Sequence, residues 1–119
     1  MYRKLHLDFD YASRTNGKKP AKEFYDSLPD EERVNIRVLL NKLGEEGKLA
    51  KHRFKKLHGC DIWQLSTYDY RLLCFQDGKC YFFTNGFAKE CKVTPKRYVD
   101  LAKEIRREHL GIMRRKKGD

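Results

Sequence analysis

Residues Ile62 to Pro95, IWQLSTYDYRLLCFQDGKCYFFTNGFAKECKVTP, decide the fold. Three apolar-rich runs in this stretch are separated by turn residues, which is the pattern of consecutive β-strands. Gln76-Asp77-Gly78-Lys79 reads as a two-residue hairpin centred on Asp77 and Gly78, because a type I′ turn needs positive φ at both central positions and favours Asp-Gly. Pairing Gln76 with Lys79 sets Phe75 opposite Cys80, Leu73 opposite Phe82 and Arg71 opposite Thr84 on one face. Cys74/Tyr81 and Leu72/Phe83 then lie on the other. Arg71 is a lone charge at the end of a largely apolar face. Strict alternation past Thr84 puts Lys89 on the face opposite Arg71, unless the strand bulges or ends at Gly86, a residue suited to either.

Working outward, residues Tyr2 to Phe9 alternate between Leu5, Leu7, Phe9 and Lys4, His6, Asp8, the period of a half-buried strand. A loop with Ser, Asn and Gly follows. Pro20 then opens a short helix that ends near Leu28, since Pro suits the first helical turn. Pro29 and the acidic run Asp30, Glu31, Glu32 restart a helix, with Ile36, Leu39, Leu40 and Leu43 on one face and Gly47 as its cap. Thr94-Pro95 to Leu110 predicts a third helix, with Val99, Ala102, Ile105 and Leu110 on its apolar side. The class is α+β: an N-terminal strand, a helical hairpin, a three-strand antiparallel meander and a C-terminal helix. Residues 1–110 read as one domain and 111–119 as a basic, disordered tail.

Charge divides the chain. The net charge is +10, and residues 1–47 hold 9 Lys+Arg against 9 Asp+Glu while 48–119 hold 18 against 8, so the whole excess lies in the second part. Such an excess draws a protein to phosphate polymers by counterion release, and to acidic partner proteins as well. The segment KLAKHRFKKLHGCD concentrates Lys48, Lys51, Arg53, Lys55 and Lys56 with His52 and His58, and reads as a basic loop. It is either a solvated face or a phosphate-binding one. Cys60, Cys74, Cys80 and Cys91 form no C-x-x-C pair, which suits reduced thiols better than a zinc site or a disulfide framework. The charged start MYRKLHLDFD does not read as a secretory signal, and no apolar run is long enough to span a membrane, so the expected location is cytoplasmic.

The order of elements becomes specific through Phe24 and Leu28, Lys56-Leu57, Trp63-x-Leu65, Tyr70-Arg71-Leu72, Asp77-Gly78 and Gly86-Phe87-x-Lys89-x-x-Lys92-x-Thr94-Pro95. On these the chain resembles the RelE/ParE toxin superfamily, in particular its HigB-like branch of phage-derived Gp49-like proteins. The resemblance implies a type II toxin of a toxin–antitoxin system, held inactive by a cognate antitoxin, here expected to be a helix-turn-helix protein. RelE-like and HigB-like members cleave messenger RNA on the ribosome without a metal. ParE-like members instead bind and poison DNA gyrase, and a third possibility is an inactive RNA-binding relic. Two departures from the family pattern stand out. Gln64-Leu65-Ser66 replaces the usual Glu-Leu-Arg after Trp63, and Glu90 follows Lys89 where a second Lys is common.

Metal-free RNA cleavage needs a base for the ribose 2′-hydroxyl, an acid for the leaving oxygen, and positive charge on the transition state. Arg71 matches the family's meander arginine, and its planar fork can hold two phosphate oxygens; the alternative is a structural ion pair with Asp61 or Asp69. Lys89 and Lys92 match family positions before the last helix, where either could donate to the scissile phosphate. The proposed catalytic set is therefore Arg71, Lys89, Lys92 and His58, the last as a conventional base. Arg53, Lys55 and Lys56 are candidates for phosphate binding and Phe87 for stacking on a base. His6 and His109 read as structural or exposed. The partners implied are the ribosome with its messenger RNA and the antitoxin, and no metal or cofactor is implied.

Overall fold

The computed structural model describes residues 7–117 and contains eight elements. These are β1 (Asp8–Tyr11), α1 (Pro20–Ser27), α2 (Asp30–Glu46), β2 (Phe54–Lys56), β3 (Trp63–Ser66), β4 (Tyr70–Asp77), β5 (Cys80–Ala88) and α3 (Lys96–Lys117). The class is α+β. The five strands form one sheet in the order β1-β5-β4-β3-β2. It is mixed, because β1 runs parallel to β5 while the other neighbours are antiparallel. Of the strand predicted over Tyr2–Phe9, residues 2–6, including His6, lie outside the described residues, and β1 extends on to Tyr11.

Each side of the sheet is covered by helix. Leu65, Leu72, Cys74, Tyr81 and Phe83 pack with Ala21, Leu28, Ile36 and Leu43 of α1 and α2. Leu73, Phe75 and Phe87 pack with Ala102 and Ile105 of α3. Alternation along each strand thus sends successive residues to two different cores. The helices start and stop where the sequence says: Pro20 sits in the first turn of α1, three acids open α2, and Gly47 caps α2 at φ 78° with its N–H on Leu43 O. Only α3 differs. It runs to Lys117 rather than ending near Leu110, so residues 111–117 of the expected disordered tail are helical. Arg114, Arg115, Lys116 and Lys117 fill its last turn, where cations complement the negative end of the helix dipole.

The register corrects three expectations. First, Asp77 pairs with Cys80, so the turn is centred on Gly78-Lys79. Gly78 alone has positive φ (64°), which fits the type II′ rather than the type I′ pattern. Pairs move by two residues, giving Phe75↔Phe82 and Cys74↔Phe83, and an even shift leaves every β4 side chain on its expected face. Second, the strand bulges at Thr84, between the pairs Cys74↔Phe83 and Leu73↔Asn85. Third, Gly86 neither bulges nor ends the strand: a Cβ there would lie 2.3 Å from the Phe24 ring, so the glycine lets α1 approach the sheet. The basic loop also contains a strand. Phe54 anchors the three-residue β2 in the core, while exposed Lys55 and Lys56 keep this sheet edge charged, which discourages edge-to-edge pairing.

Candidate functional site

The bulge at Thr84 is what builds the site. It turns the end of β5 over, so that Phe87, and not Gly86, stands opposite Arg71. Lys89 follows two residues on, its N–H bonded to Asp69 O at 2.8 Å, and alternation puts it on the Arg71 face. On the other side Ser66 pairs with Arg71, and the Ser66 N–H reaches Arg53 O at 2.7 Å. Arg53, Ser66, Arg71 and Phe87 therefore form one row across one end of the sheet, with Ser66, Arg71 and Phe87 on the α3 face and the Arg53 side chain at the sheet edge. The adjacent row is Lys55, Gln64, Leu73 and Asn85.

Arg71 is half-buried, and its Nη1 donates to Thr67 O (2.7 Å) and Tyr70 O (2.9 Å) of the β3–β4 turn. The predicted alternative of an ion pair with Asp61 or Asp69 does not form. Asp61 pairs instead with Lys56 at 3.6 Å, and among the described residues no carboxylate lies within 4.0 Å of Arg71. Burial and the nearby positive charge of Arg53 push the guanidinium below the ordinary arginine value, against the pull of Asp69. An arginine stays charged through such a shift. The result is a partly desolvated cation beside a second cation, with no carboxylate among the described residues to neutralise it: a place where an anion gains.

The segment 89–95, which carries Lys89 and Lys92, is held at both ends. Glu90 accepts from Arg97 Nη2 (2.6 Å) and from the Tyr98 hydroxyl (2.6 Å), and these donors hold its carboxyl below the usual range. The Tyr98 ring in turn stacks on Phe87 with centroids 4.0 Å apart. Further on, the Thr94 hydroxyl donates to Gln64 Oε1, while Gln64 Nε2 donates to Ser66 Oγ at 3.3 Å. Asn85 Nδ2 reaches Tyr98 O at 3.2 Å. Buried polar groups need such partners, and Gln64, 5 % exposed, finds them in the loop.

By register and alternation the structure brings Lys55, Arg71 and Lys89 to one face, with Arg53 at the sheet edge beside them; Lys92 is exposed in the bend at 91–93, and three other candidates are separated from this group. His58 is exposed in the β2–β3 turn, beyond the Lys56–Trp63 pair, three residues along β3 from Ser66 and so roughly 10 Å or more from the Arg71 row. Lys56 falls on the opposite face from Lys55. Phe87 is 5 % exposed and sandwiched against Tyr98, so it offers no face to a base and belongs to the core. Sequence reasoning passed over Gln64, Thr94 and Tyr98 as positioning residues; the polar Gln64 at an inward strand position was the available signal. His109, read as structural or exposed, is buried, and its Nδ1 accepts from Ser13 N–H at 3.0 Å. Among the described residues no three His, Cys, Asp or Glu side chains gather as metal ligands would, and the four cysteines are unpaired.

A family model described as phage derived protein Gp49-like (DUF891) matches residues 23–107. The chain belongs to that family. It is a family of RelE/HigB-like toxins, which fits the toxin of a toxin–antitoxin system and implies an antitoxin as partner. No curated protein matches the chain. No helix among the described residues is long and apolar enough to cross a membrane.

Against the family pattern, the two departures acquire structural reasons. Ser66 leaves its row one cation short, and Arg53 stands beside it in the same row. Glu90 does not face the cations of the sheet, because Arg97 and Tyr98 of α3 take up its charge.

Proposed function

We propose that this Gp49-like protein is the toxin of a type II toxin–antitoxin pair and acts as a ribosome-dependent, metal-free endoribonuclease on messenger RNA. The α+β architecture, a five-stranded mixed sheet covered by three helices, is consistent with this reading. Arg71 is the residue that carries the reading: half-buried, next to Arg53, and unpaired with any carboxylate among the described residues. Its free nitrogens would hold the non-bridging oxygens of the scissile phosphate as the 2′-hydroxyl attacks and charge builds on phosphorus. Lys89 and Lys92 would add charge from the pinned loop, Lys55 and Arg53 would bind neighbouring phosphates, and the ribosome would contribute to the proton transfers.

One observation favours a second reading. His58, the only conventional base among the candidates, lies away from Arg71, which suits a toxin that works by binding a protein such as DNA gyrase. A single experiment separates the two. Wild type and Arg71→Ala are expressed in a bacterial host and cellular messenger RNA 5′ ends are mapped. In-frame cuts in translated messages that fall at least about a hundredfold in the variant support the nuclease, in line with the loss of one transition-state donor. Growth arrest with intact messages refutes it.

A further inference from the structure

Tyr68 is 83 % exposed, the most exposed large apolar side chain among the described residues. It stands at the tip of the β3–β4 turn, and that turn is unusually well fixed. Thr67 N–H bonds Tyr70 O (3.0 Å), Tyr70 N–H bonds Thr67 Oγ1 (3.1 Å), and the Arg71 guanidinium grips the Thr67 and Tyr70 carbonyls. No other ring stacks on Tyr68 among the described residues. An aromatic ring held on rigid backbone with an open face gives up little entropy when a flat ligand covers it.

The groove beside it, about 320 Å³, runs between the turn and α2 and is lined by Asn35, Val38, Leu39, Arg53, Thr67 and Tyr68. Each part has a chemical use. Val38, 58 % exposed, gives an apolar wall, and Asn35 offers an amide donor and acceptor for a base edge. Arg53 lines the groove and lies close enough to Arg71 for its charge to be felt there. Stacking ring, amide and paired arginines are what a single-stranded nucleotide uses: π-face, base edge and phosphates.

We infer that Tyr68 and this groove form a nucleobase subsite for single-stranded RNA, holding a base next to the phosphate bound by Arg71. The proposal rests on the RNA-cleaving reading and names how that site takes hold of its substrate. The excess of positive charge in residues 48–119 favours RNA over an apolar protein segment as occupant.

The test measures binding of a fluorescein-labelled ten-nucleotide uridine RNA to the full chain and to Tyr68→Ala, Tyr68→Phe and Arg53→Ala, over a salt series. Tyr68→Ala should weaken binding about tenfold without changing the salt slope, as loss of one stacked base does, and Tyr68→Phe should stay within about twofold of wild type. Arg53→Ala should instead flatten the slope by about 0.7 through the loss of one phosphate contact. Wild-type affinity in Tyr68→Ala overturns the subsite while leaving the nuclease reading intact, because the Arg71→Ala message mapping is independent of it. Failure of the wild type to bind the RNA overturns the subsite as well, and so does a Tyr68→Ala loss confined to antitoxin binding, which would make the groove a protein interface.

Discussion

The two faces of the sheet are made from the same strands, yet they are buried in different ways. The buried strand residues of the face under α1 and α2 are all apolar: Phe54, Leu65, Leu72, Cys74, Tyr81 and Phe83. The face under α3 begins the same way, with Leu73, Phe75 and Phe82, and then changes: Gln64, Ser66, Asn85 and Arg71 occupy inward positions toward one end. Apolar burial is non-directional and holds elements together wherever they fit. Polar burial requires each group to meet a specific partner, so it fixes where things are rather than how strongly they associate. For Gln64 and Asn85 those partners lie in the 89–95 loop and α3, and for Arg71 in the β3–β4 turn. The first face supports the fold and the second places the cations.

The sharpest way to break that division is to damage each face and compare stability with activity. Leu72→Ala empties a fully packed position on the α1/α2 face and should cost about 3 kcal/mol in urea unfolding. Toxicity should fall only as far as the folded fraction does. Gln64→Leu removes the bonds to Thr94 and Ser66 with little change of volume and should cost about 1 kcal/mol. Message cleavage, however, should drop at least about tenfold, since a loosened loop no longer fixes Lys89 and Lys92. If Gln64→Leu cuts messages like wild type, the α3 face is only another core.

How much of this was legible beforehand follows from the range of the interactions. Capping and turn chemistry are local, so Pro20, the Asp30–Glu32 run and Gly47 marked helix ends correctly. The arginine at the end of an apolar strand face was visible too, because period 2 is local. The position of the bulge was not. Gly86 looked like the natural place, yet its lack of a side chain is used by Phe24, more than sixty residues earlier in the chain, and the bulge falls on Thr84, whose hydroxyl is shared between Leu73 O and Asn85 Oδ1. The sequence also presented Gln64, Ser66 and Glu90 as losses of charge. Their partners, Thr94, Arg97 and Tyr98, are distant or on another element, and only tertiary structure turns them from missing cations into loop anchors. β2 escaped notice because a three-residue edge strand with one apolar residue carries no periodic signal.

The smallest effect lies at the other end of the α3 face, where His109 meets Phe75 and Phe82. Its Nδ1 accepts from Ser13 N–H, so the neutral ring carries its proton on Nε2, which is buried without a partner among the described residues. Protonating Nδ1 would set two donors against each other. Burial lowers the His109 pKa, and Lys116 and Lys19 oppose the charge further, while Asp10 and Asp77 pull the other way. Because the folded value lies below the unfolded one, this contribution is present above about pH 6.5 and is lost as pH falls below it. Glu108, held down to about 2 chiefly by Arg14, acts in a separate window, since its contribution begins to fade only as pH approaches about 4.3. Thermal midpoints should therefore decline modestly from pH 7 to 5, and His109→Gln should flatten that decline while lowering the midpoint at pH 7. Message cleavage at pH 7, corrected for folded fraction, should be unchanged in His109→Gln, because this end of the face anchors α3 and takes no part in holding the cations. A loss of cleavage there would mean that the whole α3 face, and not its cationic end alone, sets the geometry around Arg71.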